Sequence, residues 1–444
     1  MTSSPPFNPF FMFATGIDST APKIDGVRHD QMEKTGHYDR WREDIDLVKE
    51  LGTRYLRFGP TIHRTYVGAD SYDWGHADAV LGYVRSLDIV PIIDLCRFGV
   101  PDWLGDFQNP DFPYLFARYA RAFAERYPWI QLYTPVNTIF VTALASTKLG
   151  MMNEASSDDR SFVTAIKHLS AATVLAMLEI LQVRPDAIFI QSERATYFHA
   201  ESPEVIGDAE ILNSMRYIAL DLIYGHRVDS GMYEFLRDNG MSREEYRYFM
   251  ETRLGRHCVL GTDYYPTNER RVSADGSRHA AGEILGYDDI VTQYHQRYRL
   301  PVMHTETSAP QGMDSDEAVS WLWKEWANAL RLRNKGVPLV GFTWFPLVDQ
   351  VDWSEAGPAS AGSESQVNPV GLYDLDRRIR PVGAAYRQLI SDWRHLLPAQ
   401  SVCLLMPITL PSEYDEPMAQ RRREIIHRYY TQLPSDLPPN PFAR

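Results

Sequence analysis

Cysteine is nearly missing from this chain: Cys96, Cys258 and Cys403 are the only three among 444 residues, and they lie far apart. That scarcity excludes a disulfide framework, and the spacing matches no metal site, so neither a metal nor another cofactor is expected. Positive charge is also in short supply. With 45 Lys and Arg against 58 Asp and Glu, the formal net charge is -13, which would repel phosphate backbones and anionic lipid heads. Nucleic acid and membrane are therefore not expected as partners. No apolar stretch of membrane-spanning length stands out, and the opening MTSSPPFNPFFMF lacks the basic segment and long apolar run of a signal peptide. The expectation is a soluble, cytoplasmic protein whose oligomeric state the composition does not indicate.

What is present is a globular composition, 44% hydrophobic and 23% charged, enough for a sizeable core. Eight short apolar runs recur along it: Phe10–Gly16, Tyr55–Gly59, Ile89–Leu95, Ile130–Asn137, Ala187–Glu193, Cys258–Tyr265, Leu300–Glu306 and Leu339–Trp344. Near-continuous apolar runs suit strands buried on both faces, and the amphipathic stretches between them suit helical crossovers. One such stretch, Tyr38–Gly52, places Trp41, Ile45, Val48 and Leu51 at near-helical spacing and stops at a glycine. The fold class expected is α/β, a single (β/α)8 TIM barrel spanning residues 1–397. Residues 398–444 are proline-rich around one short polar helix at Met418–Thr431 and read as a C-terminal strap packed on the barrel, with a partner-binding tail as the alternative.

In such barrels chemistry sits at the carboxyl ends of the strands. Arg57, Arg97, Asn137, Thr138, Glu193, Tyr265, Glu306 and Trp344 fall there. A carboxylate such as Glu306 at a buried strand end needs a cation or hydrogen-bond donors to offset its desolvation, and Arg57 with a tyrosine hydroxyl can supply them. Ionised, it is a candidate nucleophile. A nearby aromatic plane suits the apolar face of a sugar ring. For Arg97 two readings stand side by side: a salt bridge with Asp94 or Asp102, or recognition of an anionic substrate group. Cys96 and His304 read as packed residues.

The motifs resemble glycoside hydrolase family 1, the β-glucosidase family of clan A, from about Phe10 to Ile390. HTETSAP at His304–Pro310 is similar to the family's I-T-E-N-G, GFTWFPLVDQVDW at Gly341–Trp353 to its G-Y-x-x-W-S-L-x-D-N-F-E-W, and GTDYYP to its N-Y-Y. The closing VGLYDLDRRIRPVGAAYRQLI and the early YDRWREDIDLVKELGTRYLRFG follow the family order. The resemblance implies a retaining β-glycosidase acting on a small-molecule glycoside, with Glu306 as nucleophile. It further implies that Arg57 and Tyr265 hold that glutamate, that Asn137 meets the sugar 2-hydroxyl, and that Trp344, Asp352 and Trp353 line the sugar site. Arg97 and Phe98 stand where the family has a sugar-binding histidine and tryptophan, and Asp18 lies near the position of its first glutamine.

One departure is chemical. The family's T-F-N-E-P reads TPVNTI here, so Thr138 replaces the acid/base glutamate. Retaining hydrolysis uses two carboxyls roughly 5–5.5 Å apart, and a general acid contributes about 10²–10⁴-fold. Three readings follow. Another carboxyl, Glu154 first and Glu193 second, has taken the role; or the substrate carries an activated leaving group, as in plant thioglucosidases lacking the same glutamate or in a transglycosidase; or the chain is a non-catalytic carbohydrate-binding protein.

Overall fold

The structure is a computed structural model that describes residues 11–309, 312, 314–354, 357–358, 366–394, 397, 404, 406–430 and 439–442. Eight parallel strands close into a barrel: β1 (Met12–Gly16), β2 (Tyr55–Phe58), β3 (Val90–Cys96), β4 (Leu132–Val136), β5 (Ile188–Arg194), β6 (Cys258–Asp263), β7 (Val302–Glu306) and β8 (Leu339–Thr343). Each of the eight apolar runs thus supplies one strand. Around them lie α1 (His37–Glu50), α2 (Gly75–Ser86), α3 (Phe112–Arg126), α4 (Ile139–Thr147), α5 (Asp159–Val183), α6 (Ile206–Met215), α7 (Tyr287–Tyr298), α8 (Ser315–Asn334) and α9 (Pro381–Trp393). Gly52, at a φ of 80°, follows the end of α1, where a left-handed residue releases the chain toward β2.

Alternation along the strands sorts side chains between the barrel interior and the helical ring. Met12, Ala14, Tyr55, Val90, Ile92, Leu132, Ile188, Ile190, Val259, Met303 and Val340 fill the inside. Their odd-even neighbours, including Phe13, Phe58, Ile93, Tyr133, Phe189, Leu260 and Phe342, pack under the helices. Continuing the inward series toward the carboxyl ends gives Arg57, Asp94, Thr134, Ser192, Asp263 and Thr305. All of these are buried, so a polar layer sits on top of the apolar one.

The C-terminal segment closes the opposite end. Met406 and Ile426 complete the inner apolar cluster, the latter from α10 (Pro417–Tyr430). Gln131, just before β4, donates to the carbonyl of Pro407 at 3.0 Å and accepts from the amide of Thr409 at 2.8 Å. Tyr414 lies under the guanidinium of Arg184 at 4.9 Å.

One helix corrects the sequence reading. α5, with 25 residues, is long and apolar enough to cross a membrane by length and composition. Here it is a core helix, most of it buried, with Phe162, Ile166, Leu169, Val174 and Met177 in the main apolar cluster. Cys96 and Cys258 are free and buried, burial pushes the Cys96 thiol up to about 12, and Cys403 lies outside the described residues. His304 is packed as expected, stacked on Tyr287 at 4.1 Å and held near Glu325 at 3.3 Å, with burial lowering its pKa to about 3.

Candidate active site

Glu306 ends β7 beneath a cavity at the carboxyl face, and every donor around it comes from a different strand end. From β2, Arg57 donates through Nη1 to Oε1 at 2.5 Å, while its Nη2 holds both oxygens of Asp94 at 3.1 and 3.0 Å. Tyr265, after β6, donates its hydroxyl to Oε2 at 2.9 Å. Asn137, after β4, donates Nδ2 to Oε1 at 3.3 Å. The residues expected to hold the glutamate therefore meet on it.

A further cation is there as well. Arg97 forks onto the same carboxylate, Nη1 to Oε1 at 2.7 Å and Nη2 to Oε2 at 3.1 Å. Its Nε reaches Thr20 Oγ1 at 3.0 Å and Asp18 Oδ1 at 3.2 Å, and Nη1 lies 3.4 Å from Asp94. The guanidinium also stacks on the ring of Phe345 at 4.3 Å. Arg97 is thus an ion-pair residue, but its main partner is Glu306 rather than Asp94; Asp102 instead binds Lys23 and Arg28. Burial alone would raise the pKa of Glu306, yet Arg97 and Arg57 beside it hold the carboxyl well below the usual range. Both its oxygens are engaged by donors.

Thr138 leaves the acid position empty of carboxyl. It sits in the left-handed region at a φ of 42°, begins α4, and donates its hydroxyl to Asn137 Oδ1 at 2.8 Å. Glu193 and Glu154 do not come to the cavity wall. Because Ser192 faces inward, alternation turns Glu193 outward, where it accepts the α4 amides of Ile139 at 2.7 Å and Phe140 at 3.3 Å. It caps that helix, and burial pushes its pKa up to about 8 against those two donors. Glu154 accepts from Gln108 Nε2 at 3.3 Å and is raised by burial to about 7. Glu193→Ala is expected to lower stability by about 1–3 kcal/mol by leaving the Ile139 and Phe140 amides at the start of α4 without their acceptor. It should leave the pH dependence of any turnover unchanged, as thermal unfolding and a pH–rate profile on the same variant would check.

A further carboxyl beside the nucleophile in the sheet is one that sequence reasoning passed over. Asp263 ends β6 in register with Glu306 and lines the cavity. Its Oδ1 accepts from Ser192 Oγ at 2.6 Å and Thr305 Oγ1 at 2.8 Å, while Oδ2 is buried without a partner. Burial, and then the charge of Glu306, push its pKa up to about 7. The two neighbouring carboxyls are therefore split apart, one ionised and one protonated at mildly acidic pH. Since the folded value exceeds the ordinary 3.8, the folded chain keeps a proton that the unfolded chain releases. This contribution to stability is full below about pH 4 and is lost as pH rises through about 7. Asp263→Asn should flatten that part of the stability profile, measured as melting temperature between pH 4.5 and 8.

The cavity holds about 1410 Å³, more than the roughly 300–1,000 Å³ of a typical small-molecule site. Arg97, Phe98, Thr138, Tyr265, Glu306 and Trp353 line it. Arg57, Asn137, Trp344 and Asp352, expected to be substrate-site residues, are not among those that line it. Trp344 is fully buried, its indole N–H donating to the carbonyl of Val370 at 3.0 Å, and Phe345 takes the place at the wall. Gly16 makes room for it, since a Cβ there would stand 2.5 Å from the Phe345 ring. Counting along Gly341–Trp353 already aligns Phe345, not Trp344, with the signature tryptophan. Asp352, at a φ of 53°, is turned to Lys34 at 2.8 Å and to the amide of Gln366 at 2.7 Å. Among the described residues no cluster of His, Cys, Asp and Glu could hold a metal.

No family profile matches the chain. A β-glucosidase A of Thermotoga maritima is 23% identical over 363 residues, 72% of this chain and 79% of that protein. The 6-phospho-β-glucosidase AscB of Escherichia coli is 25% identical over 183 residues, 38% of each chain. Among solved structures, the T. maritima β-glucosidase in complex with azafagomine superposes with a TM-score of 0.71 at 17% identity, over 86% of this chain and 98% of that one. The same enzyme in complex with deoxynojirimycin gives 0.72 at 17% identity, over 88% and 98%. The closed eight-strand barrel described above is therefore the (β/α)8 fold of the family 1 β-glucosidases.

Proposed function

We propose that the protein is a retaining β-glycosidase acting on a small β-glycoside, with Glu306 as the nucleophile. The observation that carries this is the convergence of Arg57, Asn137 and Tyr265 on an ionised carboxylate facing a cavity. The fold shared with β-glucosidases supports it. In the reaction, a Glu306 oxygen forms an ester bond to the anomeric carbon, and the electron pair of the glycosidic bond leaves with the aglycone oxygen. Arg97 must withdraw first, since both carboxylate oxygens are otherwise engaged. Asn137 and Tyr265 remain to orient the ester.

Thr138 can donate a hydrogen bond but cannot deliver a proton, so only aglycones that depart as stable anions are cleaved at an appreciable rate. Water then attacks the ester without a carboxylate base, and the second step is slow. A non-catalytic sugar-binding protein is the second reading, favoured by the Arg97 fork that covers the nucleophile. Turnover of dinitrophenyl glycosides with and without azide tests the choice. An enzyme lacking its base should be accelerated by azide and yield the β-glycosyl azide, whereas a panel of sugars giving neither product nor acceleration contradicts catalysis.

A further inference from the structure

Opposite β1 in the barrel order, the cavity wall changes character. It is built there by the end of β5 and by a hairpin between β6 and β7, whose strands Glu269–Val272 and Arg278–Ala280 pair antiparallel. Arg270 and Val272, two residues apart, share one face of the hairpin, and Arg278 directly opposes Val272. Arg270 and Arg278 are thus diagonal neighbours, and both line the cavity. Arg270 Nη2 donates to the carbonyl of Arg278 at 3.0 Å, which fixes its guanidinium. Arg194, ending β5, joins them at the wall and lies 5.8 Å over the ring of Tyr265, itself bonded to Glu306.

Three like charges on one wall repel. The charges bearing on Arg270 are those of Arg194 and Arg278, both of its own sign. Asp208 and Glu210 line the cavity from α6 but do not figure among them. Beside the arginines runs an apolar strip of Phe198, Val272 and Leu212, also at the wall. Forked cations next to an apolar strip suit a ligand with an anionic head and a flat or aliphatic body.

We propose that Arg194, Arg270 and Arg278 bind an anionic group, phosphate or another oxyanion, on the aglycone of the substrate, whose apolar part lies on Phe198 and Val272. This rests on the glycosidase reading only for the word aglycone. It also deepens that reading, because it gives the aglycone a chemical class.

Phenyl phosphate tests the inference by calorimetric titration of the full chain, since it carries no sugar and needs no nucleophile. Saturable, salt-sensitive binding is expected, weakened about tenfold or more in Arg270→Gln and in Arg278→Gln. Arg271→Gln removes an exposed charge from the opposite face of the same strand and should change nothing. No binding up to roughly 10 mM, or equal weakening in all three variants, overturns the proposal. A protein that binds phenyl phosphate but is never labelled by a 2-fluoro glycoside fails the glycosidase reading alone. Labelling without phenyl phosphate binding fails this inference alone.

Discussion

Arg97→His is expected to speed formation of the glycosyl-enzyme from a dinitrophenyl glycoside by about ten- to a hundredfold. The reason is that the fork onto Glu306 stabilises the resting carboxylate and must break before attack. A charge-assisted hydrogen bond contributes about 1.5–3 kcal/mol, and each 1.36 kcal/mol removed from a barrier is tenfold in rate. The pH dependence gives a second, independent reading. Arg97 is the larger of the two charges that depress the pKa of Glu306, so its removal lets that pKa rise. A nucleophile works only when ionised, so the acid limb of the rate profile should move to higher pH in the variant. A slower variant with an unmoved limb would show that Arg97 aids the reaction instead of covering its nucleophile.

Glu306→Gln should abolish turnover and at the same time destabilise the fold by about 3–5 kcal/mol, the usual cost of leaving one side of a buried ion pair uncompensated. Arg57 and Arg97 are both buried and both lose a charged partner, although Asp94 and Asp18 remain. The change should also lower the pKa of Asp263, because the charge of Glu306 is the second contributor to its elevation. The pH window in which stability declines would then shift downward. Loss of activity with unchanged melting temperature would mean that the two guanidiniums find other partners.

The barrel was legible because strands buried on both faces must be nearly continuous apolar runs, and each of the eight became a strand. Arg57, Asn137, Tyr265 and Glu306 were legible because each stands at a strand end, where topology alone brings distant residues together. The outward turn of Glu193 follows from the period of two that puts Ser192 inside, and so was readable though not read. The same period marks Asp263, two positions beyond Gly261 and four beyond Val259, as inward; its elevated pKa depends on burial that no local pattern reports. The fork of Arg97 on Glu306 joins residues 209 apart through side-chain rotamers, and no spacing rule encodes it. Nor does a proline-rich tail announce that it will plug the amino end of the barrel, because it lacks a periodic apolar face to orient it.

The most direct measurement is incubation with an activated 2-fluoro glycoside, followed by intact mass and peptide mapping. The account predicts a gain of one fluorosugar on the peptide containing Glu306, faster in Arg97→His and absent in Glu306→Gln. Labelling at another carboxylate, or none in either the parent chain or Arg97→His across a panel of sugars, would contradict it.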